Sequence, residues 1–262
     1  MKKNELYICR RDIVIIVTHK CNLRCKYCYY KKSPKDNYVE SPNMAYIKEK
    51  LIEEFEDYEK PVRITFHGGE PFINWPFMKN LAEWVWSVRQ DVEFVVTTNG
   101  TMLDDDIKRW LKIHKLKFTV VLSIDGPKEV HDLERMNSFD CIDRMFFKEI
   151  YPTVGVKMTV TPRTLPYMYS SFCYLSEEGF YVNPSLAREE TWNLPKDINL
   201  YETELNKIAN WYLTHPEIPP AELLGINFSA QVNQFSNKVP CACGAGRGII
   251  AYDIDGQAYP CH

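Results

Sequence analysis

Six times along the chain a short apolar, β-branched run gives way to a polar loop and then to a segment of helical period. The runs lie at 12–17, 62–66, 92–97, 117–123, 154–160 and, more weakly, 180–184. Helical segments are expected at about 43–57, 77–89, 104–113, 139–150, 167–177 and 199–213. In the first of these, Ala45, Ile47, Leu51, Ile52 and Phe55 make one apolar face. The third opens on Asp104, Asp105 and Asp106, where acidic side chains suit the helix dipole. Strands alternating with helices imply an α/β fold with a parallel sheet. A chain of 262 residues suits a single α/β barrel.

In parallel barrels, sites are assembled from the loops at the C-terminal ends of the strands. The unusual residues of this sequence fall there. After the first strand comes Cys21-Asn22-Leu23-Arg24-Cys25-Lys26-Tyr27-Cys28, three cysteines at C-x3-C-x2-C. Gly68-Gly69-Glu70-Pro71 follows the second strand, and Thr98-Asn99-Gly100-Thr101 the third. Ser123-Ile124-Asp125-Gly126-Pro127 closes the fourth, with His131, Asp132 and Arg135 behind it, and Thr161-Pro162-Arg163 closes the fifth. Thiolates are soft ligands that select zinc, copper(I) or iron–sulfur clusters. A closed zinc loop would need a fourth ligand, and His19 is the candidate.

Composition narrows the classes. Net charge is −3 and no basic stripe speaks for nucleic acid. The longest apolar runs are far below the roughly 20 residues that span a membrane. No secretory segment stands at the N-terminus, so the expected location is cytoplasmic. Nine cysteines without such a segment favour metal or catalytic use over disulfides. Cys9, Cys141 and Cys173 stand alone and are expected as small buried hydrophobes.

The cysteine spacing, with Tyr27 just before the last cysteine, resembles the signature of radical S-adenosylmethionine (radical SAM) enzymes. The Gly-Gly-Glu, Thr-Asn-Gly and Ser-x-Asp-Gly-Pro stretches are similar to further motifs of the sulfatase-maturase and peptide-maturase branch. The resemblance implies a partial (β/α)6 barrel over 9–215. It also implies a 4Fe-4S cluster on Cys21, Cys25 and Cys28, with S-adenosylmethionine on the fourth iron. Gly68, Gly69 and Glu70 would meet the methionine amino group, Ser123 the ribose or carboxylate, and Tyr27 the adenine through its backbone. Arg135 or Arg144 would pair with the carboxylate, and the two are not separable from sequence. The Thr-Asn-Gly stretch reads equally as a strand-ending turn. His131 reads as structural rather than as a general base.

From 239 to 262, after a linker at 216–238, apolar runs flank Asp255-Gly256 as in a β-hairpin. With Cys241 or Cys243, Gly256 and Cys261, this stretch resembles the opening of a SPASM domain, which holds auxiliary 4Fe-4S clusters. Three cysteines do not complete a four-thiolate cluster. His262, Cys9, a partner chain or solvent would supply the rest. By resemblance the activity is reductive cleavage of S-adenosylmethionine to a 5′-deoxyadenosyl radical, which takes hydrogen from a peptide or protein side chain. The electron donor would be a flavodoxin or ferredoxin. The alternatives are an activase of a glycyl-radical enzyme and a non-catalytic iron–sulfur relative. No residue is assigned as a catalytic acid or base.

Overall fold

β1 (Arg11–Thr18) is buried from Ile13 onward, as befits a strand covered on both faces. In the computed structural model, which describes residues 11–32, 41–56, 61–221, 224, 245 and 248–261, Ile13, Ile15 and Val17 join the main core. They meet Ile47 and Leu51 of α1 (Met44–Glu56) there. Val14 and Ile16 point the other way and pack with Ala251.

β2 (Val62–Gly68), β3 (Glu93–Thr98) and β4 (Phe118–Leu122) follow in order, each parallel to the one before. α2 (Trp75–Val88) and α3 (Asp105–His114) connect them. Side chains alternate as the pleat requires. Val62, Ile64 and Phe66 are buried, while Arg63, Thr65 and His67 share the opposite, half-buried face. Phe66, Phe94 and Phe118 stack across the three strands, with ring centroids 5.3 and 5.8 Å apart along the row. Trp75, Trp86 and Trp110 close over that row edge-on.

α4 (Lys128–Glu134), α5 (Arg144–Ile150), β5 (Gly155–Val160), α6 (Met168–Glu177), β6 (Tyr181–Leu186) and α7 (Leu194–Thr214) complete the series. β5 and β6 are parallel to each other. They meet β4 through a single bridge between Ser123 and Lys157, beside which the Ile124 amide donates to the Lys157 carbonyl at 2.9 Å. The six strands form the expected open, partial barrel. β7 (Ile249–Tyr252) and β8 (Ala258–Tyr259) make the expected hairpin, turning at Gly256 with φ 86°. β7 also pairs in parallel with β1, so the order is β4-β3-β2-β1-β7-β8. Among the described residues no helix is long and apolar enough to cross a membrane.

Three details differ from the sequence reading. The expected helix at 139–150 is a short 3₁₀ turn, Phe139–Cys141, and then α5, because the Asp143 carboxylate caps the Phe146 amide and starts the helix afresh. α4 was not expected, since its seven residues are too few for a clear helical period. α7 starts five residues early, with Pro195 in its first turn. Of the solitary cysteines, Cys141 is exposed rather than buried and Cys173 is half-buried. Cys9 lies outside the described residues.

Phe94 is fully buried at the centre of the aromatic row. Phe94→Ala is expected to cost about 3–5 kcal/mol in urea unfolding. Val95→Ala, on the opposite half-buried face, should cost less than half of that; equal costs would contradict the assigned core face.

Candidate functional site

The cysteine loop leaves β1 at Thr18, whose hydroxyl accepts from the Lys20 amide at 3.1 Å. The exit of β2 lies directly against it. The Gly69 amide donates to the Thr18 carbonyl at 3.0 Å and the Glu70 amide to the Lys20 carbonyl at 2.9 Å. A Cβ on Gly68 would stand 2.2 Å from the Thr18 carbonyl oxygen, and one on Gly69 would stand 2.3 Å from that of Lys20. The two glycines therefore let one loop lie on the other, with φ of 149° at Gly68 adding a second reason for glycine there.

Glu70 turns inward and is buried. Its Oε1 accepts from the Phe72 amide at 3.1 Å and the Thr98 hydroxyl at 2.8 Å. Its Oε2 accepts from the Asn99 amide at 2.8 Å. Burial pushes the Glu70 carboxyl pKa up, and these three donors oppose that shift. An ionised carboxylate has about four acceptor sites, so among the described residues one is unclaimed. Asn99 also reaches the cysteine loop, its Nδ2 donating to Asn22 Oδ1 at 2.9 Å, while Asn22 Nδ2 donates to the Thr101 hydroxyl at 2.8 Å. Thr-Asn-Gly is thus both a turn, with Gly100 at φ 77°, and a brace for the loop.

A second buried carboxylate, Asp125, binds the other side of the loop. Its Oδ2 accepts from the Tyr27 hydroxyl at 3.0 Å and from Arg135 Nε at 2.7 Å. Its Oδ1 accepts from Arg135 Nη2 at 3.3 Å and from the Thr159 amide at 2.9 Å. Burial opposes the charge on Arg135, but Asp125, Tyr27 and Cys25 outweigh it and hold the guanidinium pKa above its ordinary value. No described residue pairs with Arg135 Nη1. The guanidinium lies 5.3 Å from the centre of the Tyr27 ring. Next to it, the Glu134 carbonyl accepts from the Lys26 amide at 2.9 Å. The buried Glu134 carboxylate takes Arg163 Nε at 2.8 Å and the Thr161 hydroxyl at 2.9 Å, bringing in the exit of β5.

Cys25 is buried, and Cys21 and Cys28 are half-buried. Burial raises the thiol pKa of Cys21 and of Cys25, the latter opposed by Arg135. Coordination would remove these protons. Among the described residues no three His, Cys, Asp or Glu side chains converge on one ion. In an iron–sulfur cluster the thiolates spread over separate irons. Three soft thiols on one loop are a donor set of that chemistry.

Of the other expected residues, Ser123 is at the same mouth, its amide donating to the Thr98 carbonyl at 2.9 Å and its hydroxyl without a partner among the described residues. Arg144 is elsewhere: it packs 4.2 Å over the Phe139 ring and donates to the Phe139 carbonyl at 3.3 Å. Cys261 is exposed beyond β8, while Cys241, Cys243 and His262 lie outside the described residues. His19 pairs with Asp253, Nε2 to Oδ1 at 3.0 Å. The sequence reading did not single out Asn22, Asp125 or Glu134. Asp125 was visible only as a fixed letter of Ser-x-Asp-Gly-Pro, and nothing marked Glu134.

The family model of the radical SAM superfamily matches residues 15–148. The cysteine-type anaerobic sulfatase-maturating enzyme of Clostridium novyi (strain NT) is 32% identical over 271 residues, covering 92% of this chain and 70% of that protein. The radical SAM cyclopropyl synthase TigE of Paramaledivibacter caminithermalis is 29% identical over 243 residues, covering 79% of this chain and 50% of that protein. The chain thus spans only half of TigE's length. The solved structure of anSMEcpe with bound AdoMet and Cp18Cys peptide superposes with a TM-score of 0.75 at 21% identity, over 96% of this chain and 74% of that one. It shares the fold.

His131, fully buried, takes the Asp125 amide on Nδ1 at 3.3 Å and meets the Ser138 hydroxyl through Nε2 at 3.0 Å. Burial pushes its pKa down to about 4. In the unfolded chain it is roughly 6.5. Between those values the unfolded chain binds the extra proton, so stability is full above the unfolded pKa and declines as pH falls toward 4. From pH 7 to pH 5 this group is expected to remove roughly 2 kcal/mol of unfolding free energy. His131→Asn should show a correspondingly shallower pH slope in urea unfolding, and identical slopes would refute the buried neutral imidazole.

Proposed function

The chain belongs to the radical SAM superfamily, and from that premise we propose that it is a peptide- or protein-modifying enzyme whose substrate is a side chain presented at the mouth of the partial barrel. A reduced 4Fe-4S cluster held by Cys21, Cys25 and Cys28 would supply the electron that splits S-adenosylmethionine into methionine and a 5′-deoxyadenosyl radical, and that radical would take a hydrogen atom from the substrate. The observation that carries the reading is the tying of four strand exits around the three cysteines by two buried carboxylates. Such a frame holds ligands in a fixed geometry, which is what a protein contributes to cofactor chemistry.

Cys21, Cys25 and Cys28 hold the cluster in this reading. Glu70 has one acceptor site left, suited to an ammonium group. Arg135 Nη1 is the donor for a carboxylate, and Arg144, engaged with Phe139, is not needed for it. The Ser123 hydroxyl is available to a ribose or carboxylate. Tyr27 serves through its ring and hydroxyl, held by Asp125 and Arg135, with its backbone left to the adenine. Gly68 and Gly69 act by making the approach of the two loops sterically possible. The substrate class rests on the relatives: sulfatase-maturating enzymes of Clostridium and Bacteroides are among the proteins similar to it. A flavodoxin or ferredoxin is the proposed electron donor.

Anaerobic reconstitution with iron and sulfide, followed by S-adenosylmethionine and a strong reductant, is expected to yield 5′-deoxyadenosine. Cys21→Ala, Cys25→Ala and Cys28→Ala should each abolish it, and retained cleavage in any of them would refute the ligand assignment. A cluster without product would favour the non-catalytic relative.

The exposed Cys261, with Cys241 and Cys243, is proposed as the place of an auxiliary cluster. Iron beyond that of a single cluster, lost in Cys261→Ala, is the expected result. Iron content matching one cluster would remove the auxiliary site.

A further inference from the structure

The two carboxylates at the mouth differ in one respect. Glu70 accepts three hydrogen bonds and keeps a lone pair. Asp125 accepts four: the Tyr27 hydroxyl, Arg135 Nε, Arg135 Nη2 and the Thr159 amide. A carboxylate has about four acceptor sites, so Asp125 has none left for a ligand. Its side chain is fully shielded from solvent, and that of Arg135 nearly so. Asp125 therefore acts on its four neighbours rather than on a bound molecule.

Those neighbours are informative. Tyr27 lies between Cys25 and Cys28, and its hydroxyl is tied to β4's exit across 98 residues of sequence. Arg135 is gripped at Nε and Nη2, which fixes the plane of the guanidinium and, among the described residues, leaves both N–H groups of Nη1 and one of Nη2 unclaimed. Thr159 belongs to β5, which an isolated bridge between Ser123 and Lys157 joins to the exit of β4. The acceptor at 125 thus sets the position of the cysteine loop and the orientation of the arginine together.

We propose that Asp125 is a positioning residue: by accepting from Tyr27, Arg135 and Thr159 at once it fixes the cluster-holding loop and aims the free nitrogen of Arg135 into the site. The proposal rests on the reading of Cys21, Cys25 and Cys28 as cluster ligands. An asparagine at this position keeps the shape, yet it presents one acceptor oxygen and an NH2 group to four donors. Groups that orient metal ligands from behind typically change affinity or activity by 10–100-fold when altered.

The test uses the full chain, reconstituted with iron and sulfide. An iron chelator is added, and loss of the cluster absorbance is timed. Asp125→Asn is expected to lose iron roughly tenfold faster than wild type or more, and Tyr27→Phe should fall between the two. Because Tyr27 acts through Asp125, the double variant should be no faster than Asp125→Asn alone. Removing a negative charge beside the loop should also move the cluster's midpoint potential to a more positive value, which a general loss of stability would not do. An unchanged rate and potential in Asp125→Asn overturns the proposal, as do rate effects that multiply in the double variant. If Asp125→Asn does not fold, Tyr27→Phe decides: faster iron loss supports the proposal and a wild-type rate overturns it. A wild-type chain that binds no cluster removes the underlying ligand reading and this inference with it. A cluster-bearing wild type with indifferent variants removes the inference alone.

Discussion

The close approach of two backbones at the ends of β1 and β2 is the constraint on which the site depends. With carbonyl oxygens of Thr18 and Lys20 only 2.2–2.3 Å from where side chains at Gly68 and Gly69 would begin, nothing larger than hydrogen fits between the loops. That contact turns Glu70 inward, where Thr98 and Asn99 can reach it. A larger residue at either glycine would push the exit of β2 off the root of the cysteine loop, and the network beyond would lose its anchor.

The mouth of the barrel is polar and yet well buried, which is costly unless each group finds a partner. Partner-matching is nearly complete. Glu70 collects donors from the turn after β2 and the end of β3, Asp125 from the cysteine loop, β5 and the end of α4, and Glu134 from Thr161 and Arg163. The outer faces of the same strands carry the aromatic row and the helices, so the sheet separates a dry, tightly packed exterior layer from a hydrogen-bonded interior mouth. Among the described residues the groups left with spare capacity, one acceptor site on Glu70, Arg135 Nη1 and the Ser123 hydroxyl, are a hydrogen-bond acceptor, a cation and a neutral hydroxyl. A zwitterionic amino acid moiety asks for the first two of these.

Much of this was legible in the sequence. The strand–loop–helix rhythm gave the barrel, because buried parallel strands are continuous apolar runs and their exits are where unusual residues collect. Cys21, Cys25 and Cys28 and the Gly-Gly-Glu stretch stood out by spacing and type. Three things were not legible. Whether Arg135 or Arg144 faces the site depends on α4, which is short and was not recognised, so its terminal arginine had no assigned direction. The role of Asp125 depends on four donors drawn from positions between 27 and 159, a convergence with no local signature. Cys141 is exposed because it ends a 3₁₀ turn rather than sitting inside the helix that apolar content alone suggested.

The place of β7 has a consequence for how the chain is handled. β1 is an interior strand because β7 pairs with its outer side, and Val14 and Ile16 are dry because Ala251 covers them. A shortened version ending before Ile249 would turn the strand that carries the cysteine loop into a sheet margin. Its row of amide and carbonyl groups would then be open to pairing with another molecule, beside two newly wetted aliphatic side chains. Such a fragment would keep every cysteine of the first loop and still be prone to self-association through the strand that presents them.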